Sequence, residues 1–269
     1  MMGFEEKCHK LTEFIHNCTK NDIAIAFSGG VDSSLLLKIA CESAKINKTK
    51  VYAVTIHTML NIVKEKNFTV EISKEMGAIP KIIEIDELNE AGITDNPKNR
   101  CYLCKKYMFS KIIDFAKSVN VNIILDGTNF DDLNTYRPGI KALAELGIFS
   151  PLAKLYITKE DVRKMAYEYN ISASDKPSTP CLATRFEYGT KLSYDEIRKI
   201  EKAEEYITSL GFYNVRLRVH GKIARIEVDS TNLINLIQKK EDVISYLKTL
   251  GFKYVTVDLE GFVSGSMDR

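Results

Sequence analysis

The sequence predicts an α/β protein, a parallel-sheet domain followed by a second, smaller α/β domain. Three observations carry this. Short apolar strand-like runs alternate with helix-length stretches through the first half. A glycine–serine turn lies between the first strand and the first helix after it. Beyond Gly189 the pattern changes to paired strands and short helices. Strands alternating with helices of this length imply crossover connections and a mostly parallel sheet.

The elements follow in order. Apolar runs at Ile23–Phe27, Val51–Ile56, Lys81–Ile85 and Asn122–Leu125 are the expected strands. Between them, Ser33–Lys45, Ile62–Met76 and Tyr102–Ser118 have helical spacing. Parallel sheets bind ligands at the carboxyl ends of their strands. Ser28-Gly29-Gly30 follows the first strand there, and Asp126-Gly127-Thr128-Asn129 follows the fourth. Ile171–Tyr188 holds Pro177, Pro180 and small polar residues without a period, which reads as a long ordered loop, often functional. A charged helix, Tyr194–Leu210, opens the small domain. Strands at Asn214–Val219 and Lys222–Val228 follow, then helical segments Thr231–Lys239 and Asp242–Leu250 and a last strand, Lys253–Val257. The expected domains are residues 1–188 and 189–269.

Composition bounds the function. The 269 residues are 45% hydrophobic and 28% charged, a globular mixture. A net charge of +2 argues against a dedicated nucleic-acid binder. No apolar run approaches a membrane span, and the N-terminus lacks the apolar core of a secretory signal. A cytoplasmic protein is therefore expected, and six cysteines in that setting read as metal, catalytic or buried thiols.

Residues 28–34 read SGGVDSS. A strand, a glycine turn and a helix start make an anion cradle, because backbone N–H groups point outward and the helix dipole favours negative charge. Glycine permits positive φ and close approach of a phosphate. Asp32 inside such a loop suits a Mg²⁺ ion held with the phosphates. An ordinary capped turn would need only one such residue. The GxxxxGK[ST] pattern of the Walker loop is absent. Ser28-Gly29-Gly30-Val31-Asp32-Ser33 resembles the SGGxDS loop of the PP-loop ATP pyrophosphatases. That resemblance implies ATP cleaved between its α and β phosphates, an adenylated substrate, and pyrophosphate held by the loop.

Asn99-Arg100-Cys101-Tyr102-Leu103-Cys104-Lys105 places a C-x₂-C pair at an expected helix start, and Cys181 lies in the later loop. A redox pair, half a zinc site and part of an iron–sulfur site all fit C-x₂-C. Three thiolates suit a [4Fe–4S] cluster with one iron open. Zinc and uninvolved thiols remain alternatives. Cys8, Cys18 and Cys41 fall on expected helix faces as apolar thiols. His57 follows the second strand as a lone candidate ligand.

PSTPCLATRFEYGT, DGTNFDDLNTYRPG and the closing YVTVDLEGFVSGSMD, with the glycine loop, resemble the LarE family of ATP-dependent sulfur transferases through nearly the whole chain. The resemblance implies adenylation of pyridinium-3,5-biscarboxylic acid mononucleotide and displacement of AMP by sulfur, for a nickel-pincer nucleotide cofactor. In the single-cysteine form the cysteine matching Cys181 gives up its own sulfur. Cys101 and Cys104 depart from that form. They imply the three-cysteine branch, in which Cys101, Cys104 and Cys181 hold a [4Fe–4S] cluster that carries the transferred sulfide.

The same resemblance assigns Ser28, Gly29, Gly30, Asp32, Ser33, Asp126 and Asn129 to ATP and Mg²⁺. Lys105 is expected to face the substrate, with Cys181 and Asp32 as its catalytic companions. Arg185 is a candidate anion clamp. Arg216 and Arg218 alternate on one strand face, opposite Val215, Leu217 and Val219, and are expected to grip the substrate's phosphate. Arg225 and Glu227 could extend that face, and Glu227 could help hold a metal ion. Asp131 and Asp132 read as helix caps, and Arg137-Pro138-Gly139 as a rigid turn whose arginine could reach an anion. The expected partners are a small nucleotide substrate, an unidentified sulfide donor and further copies of the chain, with neither membrane nor nucleic acid. Two alternatives stand beside this reading: a tRNA thiolase of the same superfamily, and a non-catalytic, nucleotide-responsive iron–sulfur carrier.

Overall fold

The computed structural model describes residues 2–58, 60, 65–134, 138–171, 181–263 and 265–268. The chain divides into two compact units. The first comprises Met1–Met59, Val63–Gly92 and Asn99–Thr179; the second comprises Leu60–Ile62, Ile93–Lys98 and Pro180–Arg269. The second unit thus starts earlier than residue 189 and takes in the piece Ile93–Lys98. Asn96 shows why: its side-chain amide donates to the carbonyls of Phe186 and Glu187, and Leu192 N–H donates to Thr94.

The first unit runs α1 (Phe4–Cys18), β1 (Ile23–Ala26), α2 (Val31–Asn47), β2 (Val51–His57), α3 (Glu65–Met76), β3 (Ile79–Glu84), α4 (Glu87–Glu90), α5 (Arg100–Ser118) and β4 (Ile123–Leu125). Four helices then follow: α6 (Phe130–Leu133), α7 (Gly139–Glu145), α8 (Pro151–Lys154) and α9 (Lys159–Glu168). The sheet is parallel throughout, in the order β3-β2-β1-β4. Its central strand β1 has Ile23, Ala24 and Ile25 fully buried, as a strand covered on both faces requires. One apolar cluster joins α1, α2 and α9 to one face, with Leu35, Leu36 and Leu37 at its centre. A second joins α5 to the other, through Phe109, Ile112 and Ala116. Pro80 is confined to the edge strand β3, where a missing N–H costs no central ladder bond.

This order sets the site. β2 and β4 flank β1 on opposite sides: the crossover from β1 runs to β2, and the chain crosses back to β4 only after β3. The crevice at such a switch point lies between the loops that end β1 and β4.

The second unit runs α10 (Tyr194–Ser209), β5 (Arg216–His220), β6 (Ile223–Glu227), α11 (Leu233–Gln238), α12 (Lys240–Thr249) and β7 (Tyr254–Val257). β5 and β6 form an antiparallel hairpin, and β7 pairs parallel to β6. Gly221 turns the hairpin at φ +59°, in the left-handed region glycine tolerates. Ile197, Ile200 and Ile207 of α10 are buried, as are Leu217 and Ile226 of the sheet. Among the described residues no helix is long and apolar enough to cross a membrane.

Candidate active site

The site is built from the β1–α2 turn upward. Gly29 takes φ +74°, which frees the chain to turn from β1, ending at Ala26, into α2, starting at Val31. Gly30 is the N-cap of α2, and no side chain caps that end. Ser33, in the first turn of α2, donates its hydroxyl back to Gly30 O at 3.0 Å and lies 3.2 Å from Ser28 Oγ. The first N–H groups of a helix have no partner within it. Here two serines are folded back on the turn: the Ser28 N–H donates to Ser33 Oγ at 3.3 Å and the Gly30 N–H to Ser28 Oγ at 3.4 Å.

The β4 loop closes on this turn. A Cβ on Gly127 would lie 3.0 Å from Ser33 N and 3.3 Å from Asp32 Cβ, so only glycine lets the two loops meet this closely. Asn129 caps α6 in a capping box with Asp132, and its amide donates to Asp32 Oδ1 at 3.1 Å. Asp32 Oδ2 takes an ion pair from Lys159 at 2.5 Å. Asp126 is buried; Thr128 Oγ1 donates to it at 2.6 Å, and Ser150 Oγ also donates. Lys105 Nζ stands 3.9 Å from Asp126 Oδ2, so the helix carrying the C-x₂-C pair brings its lysine to the carboxyl edge of the sheet. The structure therefore brings together Ser28, Gly29, Gly30, Asp32, Ser33, Asn129, Asp126 and Lys105.

Lys159 was not anticipated. Thr158-Lys159-Glu160-Asp161 carries the signal that could have found it: a threonine three residues before an acid is a capping box. The box is formed, with Thr158 and Asp161 bonded reciprocally. Burial pushes the Asp161 carboxyl up, but hydrogen bonds from Lys7 and Thr158 overrule it and hold the group below its ordinary value.

Cys101 and Cys104 sit three apart in the first turn of α5, hence on one face; Cys101 is exposed and Cys104 half-buried. The Cα of Gly139, at the start of α7, packs on this turn. A Cβ there would lie 3.4 Å from Cys101 O and 2.8 Å from the Lys105 stem. Cys8 and Cys18 pack half-buried against the core and Cys41 is buried; burial pushes Cys41 up to about 12, which leaves it inert. His57 ends β2; its Nε2 is buried and has no hydrogen-bond partner.

In the second unit, Cys181 is half-exposed and begins a 3-10 turn, Leu182–Arg185. Thr184 holds that turn, its hydroxyl donating to Cys181 O at 2.7 Å. Arg185 differs from the expected anion clamp. Its guanidinium is 2% exposed and closes bidentately on Glu204 at 2.7 and 3.0 Å, leaving no free edge for a ligand. Arg218 likewise differs from an exposed grip: it is buried, pairs with Glu227 at 2.9 Å and donates to Thr184 O. Arg225 pairs with Asp258 and Glu227, and Ser266 donates to Glu227. Glu227 is thus spent on two arginines and a hydroxyl. Among the described residues, Arg216 alone of these arginines has no carboxylate contact, lying over the Phe262 ring at 5.0 Å and donating to Val215 O. Burial and the neighbouring arginines lower its affinity for its proton.

Among the described residues no three of His, Cys, Asp and Glu gather as a metal-binding group. Cys101 and Cys104 belong to the first unit and Cys181 to the second. Arg137 and residues 177–180 lie outside the described residues.

Comparison with known proteins gives the family. A PP-loop domain profile matches residues 4–100. The chain is 37% identical over 246 residues, 91% of its length and 88% of the relative's, to the pyridinium-3,5-bisthiocarboxylic acid mononucleotide synthase of Lactiplantibacillus plantarum. The chain belongs to the LarE family of PP-loop proteins. Two uncharacterised relatives are covered almost end to end. One, from a Synechocystis species, is 33% identical over 98% of both chains; the other, from Methanocaldococcus jannaschii, is 35% identical over 96% of this chain and 98% of its own. LarE resemblance thus extends through both units, while the PP-loop match ends at residue 100.

Proposed function

We infer that the protein is an ATP-dependent sulfur transferase, which adenylates the carboxylates of pyridinium-3,5-biscarboxylic acid mononucleotide and converts them to thiocarboxylates. The observation that supports it most is the uncapped, glycine-turned start of α2 with the Asp32 carboxylate in its first turn. In this reading the backbone amides that open α2 hold the pyrophosphate portion of ATP. A substrate carboxylate oxygen attacks the α phosphorus, the bridge to the β phosphate breaks, and pyrophosphate leaves with the electron pair. Sulfur then bonds to the acyl carbon and AMP departs. Asp32 fits Mg²⁺, since a cationic ammonium already rests on its Oδ2. Lys105 sits at the same edge to neutralise a substrate anion, and Arg216 is the arginine left for the substrate phosphate.

Cys101 and Cys104, on one helix face, fit two corners of an iron–sulfur cluster, and Cys181 is the third proposed ligand. When bound, a [4Fe–4S] cluster supplies the sulfide that adds to the acyl carbon, while the three cysteines stay intact. The proposed setting is a cytoplasmic homo-oligomer.

The test is anaerobic reconstitution with iron and sulfide, then ATP, Mg²⁺ and the dicarboxylate mononucleotide. Substrate-dependent pyrophosphate and AMP with a product heavier by one sulfur-for-oxygen exchange is expected. ATP binding without pyrophosphate release would leave only a nucleotide-responsive carrier. Salt-sensitive tRNA binding with tRNA-dependent pyrophosphate release would point to a thiolase instead.

A further inference from the structure

Lys159 stands out because its position is fixed at the backbone and loose at the tip. It is the first residue of α9, and its own N–H donates to Asp131 Oδ2 at 2.7 Å. Just before it, the Phe130 N–H donates to Ile157 O at 2.9 Å, tying the start of α6 to the approach to α9. Lys7 of α1 reaches Asp161 at 2.6 Å and secures the capping box from the other side. Three tethers therefore hold the Lys159 main chain beside the β4 loop. The side chain is 36% exposed and ends on Asp32, which is 20% exposed. An ion pair this open is weak and readily exchanged.

A cation resting on Asp32 is hard to reconcile with a spectator lysine. Asp32 is the one carboxylate in the glycine turn, and Asn129 already donates to its other oxygen. Any divalent metal that binds Asp32 must compete with the Lys159 ammonium for Oδ2. The displaced ammonium cannot travel far, because its backbone is held. It stays beside the β1–α2 turn.

We propose that Lys159 is an exchangeable counter-cation of the nucleotide site. Without nucleotide its ammonium neutralises Asp32. When Mg²⁺ and ATP arrive, the metal takes the carboxylate and Lys159 moves to a phosphate oxygen. There it balances the charge that gathers on pyrophosphate as the α–β bridge breaks. The inference rests on the reading of this turn as an ATP and Mg²⁺ site.

The exchange predicts effects of opposite sign from one substitution. Lys159→Met keeps the apolar stem and removes the charge. Mn²⁺ binding without nucleotide, followed by the loss of the free-ion electron paramagnetic signal, is expected to tighten by roughly threefold to tenfold, because its competitor is gone. Substrate-dependent pyrophosphate release is expected to fall by about a hundredfold. Lys159→Arg is expected to recover part of the release and to restore the weaker Mn²⁺ affinity. Lys159→Gln, with a thermal unfolding scan, separates these effects from misfolding. A Lys159→Met protein that folds yet binds Mn²⁺ no better than the parent, or releases pyrophosphate as fast, overturns the proposal. Asp32→Asn in the parent distinguishes the underlying reading: if that change leaves Mn²⁺ and ATP binding intact, the site itself is misassigned, whatever Lys159 does.

Discussion

The two sheets treat their charged side chains in opposite ways. At the carboxyl edge of the first, Asp32 is partly exposed and shares its oxygens between an amide and a movable lysine. In the second, Arg185–Glu204 and Arg218–Glu227 are buried and closed, Glu204 also accepting the Leu217 N–H at 2.8 Å. The first arrangement leaves charge available to a ligand. The second spends it on holding the Cys181 turn and the β5–β6 hairpin in one shape. A charged residue in a functional protein is thus read by what its partners leave over.

Substitutions should separate the two regimes, and the largest effect belongs to the closed pairs. Arg185→Met strands the Glu204 carboxylate in the interior and should cost about 3–5 kcal/mol of stability by denaturant unfolding. Converting both partners to apolar residues should restore much of that. Next, Asp32→Asn should leave the unfolding midpoint nearly unchanged, because an open pair contributes at most about 1 kcal/mol. Pyrophosphate release should nevertheless drop by about a hundredfold or more. Gly127→Val then tests the meeting of the two loops, where a Cβ would press on Ser33 N. It should destabilise by about 1–3 kcal/mol and weaken ATP binding in equilibrium titration.

The smallest effect concerns pH. Asp161 has a folded pKa held below its unfolded value by the hydrogen bonds from Lys7 and Thr158. Its contribution is therefore present above the unfolded value and is lost as the pH falls through the folded value. Lys7→Met removes the ammonium bonded to it, so the acid-unfolding midpoint should move up by a few tenths of a pH unit (order of magnitude). Stability at pH 7, where that contribution is present in full, should fall modestly, while below the folded value variant and parent should unfold alike.

The contrast also explains what was legible in the sequence. All four strands of the first sheet were visible as apolar runs, and the glycine turn was visible because its chemistry is backbone chemistry, fixed by adjacent residues. Boundaries moved by a residue or two; β3 begins at Ile79 because Pro80 is tolerated on an edge. The helices between Phe130 and Glu168 were missed: α6 and α8 are single turns with no period to detect, and α7 and α9 span only seven and ten residues, although capping boxes at Asn129 and Thr158 marked two of the four. The arginines were misjudged for a different reason. Arg185 finds its partner 19 residues away and Arg218 finds its partner 9 residues away across a hairpin. Alternation along β5 made Arg218 look exposed, when Glu227 draws it inside. Lys159 acquires its meaning only from Asp32, 127 residues earlier.

The measurement that bears most directly on the account is exchange of labelled pyrophosphate into ATP, driven by the dicarboxylate mononucleotide and Mg²⁺. The parent protein should incorporate label only when that substrate is present, and Asp32→Asn should lose incorporation while unfolding at the same temperature. Undiminished exchange by the variant, or ADP and phosphate as products of the parent, would contradict an AMP-forming site at this turn.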